Sequence, residues 1–173
     1  MIIKLYDIEE GISVKGTLDG SRFTRPEDSD ISFLSPIEYE LTLQMAGENV
    51  WMRGPVRAAL SLMCARCLEQ FTFPVESTLD IELLPKQKAP GAPEVELKTE
   101  EMDIYYFEGD EIDLDPYVFE EVMLNLPIKA LCSDACRGIC PSCGKNLNLE
   151  ECRCEKTGTP VLGEKLNAFL KER

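Results

Sequence analysis

Eight cysteines and no histidine set the terms on which this 173-residue chain can fold and work. Without histidine there is no Ser-His-Asp triad, no Cys-His pair, no His-Glu-x-x-His hydrolase helix and no two-histidine iron site. Six of the cysteines fall between residues 132 and 154, where large apolar side chains are few. Such a segment cannot build an oily core of its own, and a bound metal is the economical way to hold it. Met1–Ile12 is interrupted by charge and there is no run of 18 apolar residues, so neither a signal segment nor a membrane span is expected. The reading is a cytoplasmic protein in a reducing compartment, where clustered thiols are metal ligands more often than disulfides.

Two Cys-x-x-Cys turns organise the cysteines. One is Cys64-Ala65-Arg66-Cys67, and the other is Cys140-Pro141-Ser142-Cys143, followed by Gly144. Two cysteines at this spacing bring both sulfurs to one ion at about 2.3 Å, and the glycine lets the turn close. The Cys-Pro-x-Cys-Gly form is the knuckle of zinc ribbons and rubredoxins. Zinc needs four ligands, and here sulfur must supply them all. One arrangement pairs Cys140 and Cys143 with Cys152 and Cys154, and Cys64 and Cys67 with Cys132 and Cys136, giving two ions and stapling the tail to the sheet. The other holds a single ion in the tail and leaves Cys64 and Cys67 as a free dithiol. Iron suits four thiolates as well, and sulfur alone does not separate it from zinc. Redox work of the thioredoxin kind wants a helix after the Cys-x-x-Cys, whereas Leu68–Phe73 reads as strand.

The first 84 residues alternate with period two. Ile37, Tyr39, Leu41, Leu43 and Met45 oppose Glu38, Glu40, Thr42 and Gln44. Val56, Ala58, Leu60 and Leu62 form a second such row, and Val75, Leu79, Ile81 and Leu83 a third, each a half-buried strand. A turn is expected at Gly47-Glu48-Asn49, and Pro74 marks its strand as an edge or a bulge. Residues 20–36 read as a long loop or irregular strand, and 85–98 as a linker. Asp115 as the cap and Pro116 at the first helical position start a helix that Pro127 stops, with Val118, Phe119, Val122, Met123 and Leu126 on its apolar stripe. The fold class is therefore mainly β with short helices. We expect an antiparallel meander or small open barrel over residues 1–130, with the helix near 115–126. A cysteine-rich, zinc-ribbon-like appendage follows over 131–173, ending in a short helix at Leu162–Leu170 opened by Thr159 and Pro160.

The formal net charge is -14. Residues 94–121 carry twelve acidic side chains against one lysine. A chain so charged is repelled by bare phosphate backbone, and a basic protein is the better partner. Glu100, Glu101, Asp103, Glu108, Asp110 and Glu111 are the candidate docking surface. Arg137 and Lys145, in the metal segment, are the candidates for a short RNA contact. No phosphate loop, paired-glycine motif or nucleophile with a base is present, so neither an enzyme nor a small-molecule substrate is expected. A zinc ion closed by four thiolates has no open position for water and is structural.

The run from Arg57 to Met63, followed by Cys64-Ala65-Arg66-Cys67-Leu68-Glu69-Gln70-Phe71, resembles the core signature of the YceD family, formerly the domain of unknown function DUF177. Ile112-Asp113-Leu114, Leu126-Pro127-Ile128 and the tail from Leu131 to Asn148 resemble the cysteine-rich members of that family. The resemblance runs over roughly residues 10–171. It implies a factor supporting accumulation of 23S ribosomal RNA and assembly of the large ribosomal subunit. Its partner would be a basic ribosomal protein or a pre-50S particle, with one or two zinc ions bound. The rival readings are a direct RNA-binding zinc ribbon and a dithiol redox protein.

Overall fold

The computed structural model describes residues 1–8, 10–23, 31–89 and 104–154. The chain divides into two compact units. The first comprises Met1–Leu62 and Phe71–Ala130. The second joins Met63–Gln70 to the segment from Leu131 onward.

In the first unit, alternating apolar residues become long antiparallel strands because each buries one face and wets the other. β1 is Ile2–Lys4, β2 Ile12–Leu18, β3 Ile31–Phe33, β4 Ile37–Ala46, β5 Asn49–Met63, β6 Gln70–Pro85, β7 Ile104–Phe107 and β8 Glu111–Asp113. A six-stranded sheet runs in the order β2-β4-β5-β6-β7, with β3 also paired to β5, and a separate pair joins β1 to β8. Both sheets are open, and the described residues form no closed barrel. In β4, Ile37, Tyr39, Leu41 and Leu43 are buried while Glu38, Glu40, Thr42 and Gln44 are exposed.

A two-residue turn at Gly47 and Glu48 links β4 to β5, with Gly47 at φ +67. Pairing of β4 with β5 brings Gly54 against Glu40 so closely that a Cβ there would lie 2.0 Å from the Glu40 carbonyl oxygen. Pro74 is in β6, where β7 pairs only with Glu82–Pro85, so no β7 pairing is disturbed by its missing N–H. That β6–β7 ladder is parallel. The region read as an irregular strand contains β3, and the acidic stretch contributes β7 and β8.

One α-helix, α1 (Asp115–Leu124), lies among the described residues. Val118 and Val122 are buried in the core with Leu60, Leu83 and Leu114. Phe119 is half-buried and stacks on Phe23 with ring centroids 4.3 Å apart. Asp115 does not cap the helix, contrary to the sequence expectation. The N-cap position belongs to Leu114, and no side chain caps it. The Asp115 carboxylate instead accepts from the Met1 ammonium, while Asp113 takes the Asp115 N–H at 3.3 Å. A full positive charge outcompetes backbone donors for a carboxylate. At the other end, Asn125 Nδ2 donates to the Glu121 carbonyl at 2.8 Å, to the Glu121 carboxylate at 2.9 Å and to Ser77 Oγ at 3.1 Å. The Ser77 hydroxyl donates to the same carboxylate, which ties the helix end to β6. The short helix expected over Leu162–Leu170 lies outside the described residues.

Candidate metal centres

The second unit is built around sulfur. Its hairpin tip is the turn Cys64–Cys67 between β5 and β6. Leu68 donates its N–H to the Cys64 carbonyl at 2.9 Å, and Cys64 donates to the Glu69 carbonyl at 2.9 Å. The tail repeats the device: Gly144 donates to the Cys140 carbonyl at 2.8 Å and Cys140 to the Lys145 carbonyl at 2.8 Å. Each turn folds its first cysteine inward and holds both sulfurs on one side.

The sulfurs of Cys64, Cys67, Cys132 and Cys136 all lie within 4.8 Å of one another, and so do those of Cys140, Cys143, Cys152 and Cys154. All eight are free thiols. Cys64–Cys136 is 3.8 Å and Cys67–Cys132 is 3.7 Å. In the tail, Cys143–Cys152 is 3.5 Å and Cys140–Cys152 is 3.3 Å. A tetrahedral ion bound at about 2.3 Å sets its sulfurs about 3.8 Å apart, so the donor sets fit a thiophilic metal. No member of either cluster offers nitrogen or oxygen, which favours zinc or iron over magnesium or calcium.

The two clusters stand in different surroundings. In the hairpin cluster, Cys64, Cys67 and Cys136 are buried and only Cys132 is exposed. Arg66 clamps the tail segment by donating from Nη1 to the carbonyls of Asp134 (3.1 Å) and Cys136 (3.0 Å). Ile139 donates to the Arg66 carbonyl at 3.1 Å, and Gly138, at φ +74, lets the backbones meet, since a Cβ there would lie 3.0 Å from that oxygen. Asn148 Nδ2 donates to Cys136 Sγ at 3.3 Å, and Asn148 Oδ1 accepts from the Arg137 N–H at 2.7 Å. In the tail cluster only Cys140 is buried, and Cys143 and Cys154 are exposed.

The thiols are polarised within each cluster. For Cys64, burial works upward, but the backbone N–H groups of Cys132, Cys67 and Arg66 bring it down to about 6. The Asn148 amide lowers Cys136. Cys132 is pushed up to about 12 by Cys136, burial and the other two sulfurs. Cys67 is raised as well; the Glu69 N–H opposes this, and burial and the Cys64 sulfur outweigh it. In the tail, the N–H groups of Cys143 and Ser142 lower Cys140 to about 6, while Cys152 and Cys143 raise Cys154 to about 12. Four thiols in contact share protons until a cation replaces them.

Of the remaining sequence candidates, Arg137 is exposed and has no ion-pair partner among the described residues. Lys145 is taken by Glu150 at 2.7 Å, an exposed pair. Glu108, Asp110 and Glu111 are exposed, and Lys86 meets Glu108 at 2.6 Å. Glu100, Glu101 and Asp103 lie outside the described residues. Sequence reasoning missed the Arg66 clamp and the Asn148 donor. Asn148 was legible only as part of a motif, because nothing local shows that its amide meets a sulfur twelve residues back.

The sequence model of one family, described as large ribosomal RNA subunit accumulation protein YceD, matches residues 52–169. An uncharacterized protein of Mycobacterium tuberculosis is 31% identical over 114 residues, covering 66% of this chain and 53% of that protein. The Arabidopsis thaliana protein named large ribosomal RNA subunit accumulation protein YCED homolog 1, chloroplastic, is 27% identical over 142 residues, covering 69% and 44%. The uncharacterized protein YlbN of Bacillus subtilis is 26% identical over 121 residues, covering 69% and 65%. The chain thus spans about half the length of most of the curated relatives it matches. No solved structure matches. The matched span takes in most of β5, the hairpin tip, α1 and both sulfur clusters, and on it the chain belongs to the YceD family.

Proposed function

We propose that this protein is a non-enzymatic factor that supports 23S ribosomal RNA accumulation and large-subunit assembly. Each of its four-cysteine clusters holds one structural zinc ion. The observation that carries the ribosomal reading is the family match over residues 52–169. The clusters support the non-enzymatic part: four thiolates saturate a tetrahedral ion and leave no position for water or substrate. Zinc would supply cross-linking and no chemistry. Cysteine sulfurs would hold it, while Arg66 and Asn148 orient the chain around the hairpin cluster.

The partner is a basic ribosomal protein or a pre-50S particle, met in the cytosol where the thiols stay reduced. The net charge of -14 supports this, because long-range attraction speeds encounter with a basic surface. Glu108, Asp110 and Glu111 belong to this docking surface, together with Glu100, Glu101 and Asp103. A direct RNA contact has one specific observation in its favour, the exposed Arg137, which has no ion-pair partner among the described residues.

Deletion of the gene tests the reading. The ratio of 23S to 16S RNA should fall and be restored by the wild-type chain, but not by a double Cys64→Ser, Cys67→Ser variant. An unchanged ratio in the deletion strain would reject it. Gel-shift assays with a naked 23S fragment across a salt series separate the two partner classes: a protein-binding factor leaves the fragment free, whereas a direct RNA binder shifts it with strong salt dependence.

A further inference from the structure

We infer that the two sulfur clusters are unequal: the hairpin cluster holds its ion for the life of the fold, and the tail cluster is an exchangeable site for a thiophilic divalent cation. The inference rests on the proposal that both clusters bind zinc.

Three observations separate them. The first is access. Three hairpin-cluster residues are buried, whereas Cys143 and Cys154 are exposed and Cys152 is half-buried. Cys143, Cys152 and Cys154 line an open cleft of about 440 Å³ with Lys145, Glu151 and Arg153. Metal transfer between thiolate sites proceeds by an incoming ligand joining the ion before an old one leaves, so it requires sulfur that an acceptor can reach. Four thiolates around a divalent ion carry a net charge of about -2. Lys145 is held by Glu150 at 2.7 Å and Glu151 shares the cleft with Arg153, so these side chains leave that charge unchanged and access rests on the exposure of the sulfurs.

The second is connectivity. The hairpin cluster draws its sulfurs from residues 65 and 72 apart in the chain, and the backbone around them is further joined by the Arg66 clamp and the Ile139–Arg66 hydrogen bond. Releasing that ion requires separating the two segments. The tail cluster joins residues 9 and 12 apart, and its ligands can leave one at a time within a single loop.

The third is the donor around the sulfur. Cys136 receives a side-chain hydrogen bond from Asn148 at 3.3 Å, which fixes the orientation of its sulfur. Among the described residues, the donors to the tail sulfurs are backbone N–H groups of the same loop, such as Cys154 to Cys152 at 3.3 Å, and no side-chain amide holds them. Donors that orient a ligand change metal affinity by about 10–100-fold.

The experiment uses the full chain loaded with zinc. EDTA is added, metal loss is followed by elemental analysis of the desalted protein, and freed thiols are trapped with N-ethylmaleimide and located by peptide mass spectrometry. Two phases are expected, one equivalent leaving at least about tenfold faster than the other. Label should appear first on Cys140, Cys143, Cys152 and Cys154, and re-adding zinc before trapping should restore protection. A Cys152→Ser variant should lose the fast equivalent and keep the slow one. Loss of both ions in one phase, earlier labelling of Cys64 or Cys136, or a tail cluster unprotected at any zinc concentration overturns the inference. A chain that takes up no zinc in either cluster overturns the metal reading beneath it.

Discussion

Leu68 occupies, in the hairpin turn, the position that Gly144 occupies in the tail turn. Each follows the second cysteine of its Cys-x-x-Cys, each has positive φ (+60 and +72), and each donates its N–H to the carbonyl of the first cysteine. Glycine suits that backbone, whereas a residue with a Cβ is strained there by about 1–2 kcal/mol. Leu68 is 56% exposed, so little burial offsets the strain. Leu68→Gly is expected to be more stable than Leu68→Ala by about 1 kcal/mol, measured by thermal unfolding at fixed free zinc. Equal stability of the two variants would show that the turn relaxes its backbone.

Metal affinity of the hairpin cluster should fall steeply as pH falls. In the metal-free chain Cys67 lies above its ordinary 9.0 and Cys132 at about 12, so both carry protons at neutral pH. Cys64, at about 6, is already ionised. Zinc therefore displaces at least two protons, and each unit of acidification near pH 7 weakens binding roughly a hundredfold. Chelator competition between pH 6.5 and 8 measures the slope; a slope of one proton or fewer would contradict the polarisation of the four thiols.

Asn148→Ala removes the donor to Cys136 and the acceptor for Arg137. Zinc loss from the hairpin cluster should accelerate by about 10–100-fold. Asn148→Asp keeps an acceptor for the Arg137 N–H but sets a negative charge beside the thiolate. It should therefore release metal no more slowly than the alanine variant.

Asn125→Ala breaks three hydrogen bonds that join the end of α1 to Glu121 and Ser77. The cluster is largely at the surface, so water replaces part of what is lost. A destabilisation of about 1–2 kcal/mol is expected, read as a lower urea midpoint with unchanged slope.

Gly54→Ala should be the most damaging single-methyl change in the sheet. Its Cβ would fall 2.0 Å from a backbone oxygen, which no side-chain rotation relieves. A cost of about 3 kcal/mol or more, or failure to fold, is expected from circular dichroism. By contrast, Gly47→Ala meets nothing within 4 Å and should cost only its positive-φ strain.

The strands that carry the core were legible because their burial repeats with the period of the chemistry. Ile37 to Leu43 in β4 and Leu79 to Leu83 in β6 keep one parity throughout. β1, β3 and β8 are three residues each, too short for a period to show. The parallel pairing of β7 with β6 was hidden because β7 is four residues long and its register depends on a distant partner. Asp115 misled because capping preference is a local rule, and a long-range charge overrode it. The two groups of four cysteines could be argued from ligand number and spacing alone, since two tetrahedral ions use eight sulfurs without remainder. Their unequal burial could not, because it depends on which strands the hairpin tip joins.

The separation of the hairpin ligands has a consequence for synthesis. Cys67 leaves the translating ribosome 65 residues ahead of Cys132. At 5–20 residues per second that interval is on the order of 3–13 s. Through it the tip dithiol has only solvent, glutathione or a passing metal for company. If the hairpin cluster binds metal as proposed, the nascent chain is most open to oxidation or mismetallation before its tail exists, and a reducing environment would protect the newborn chain more than the finished one.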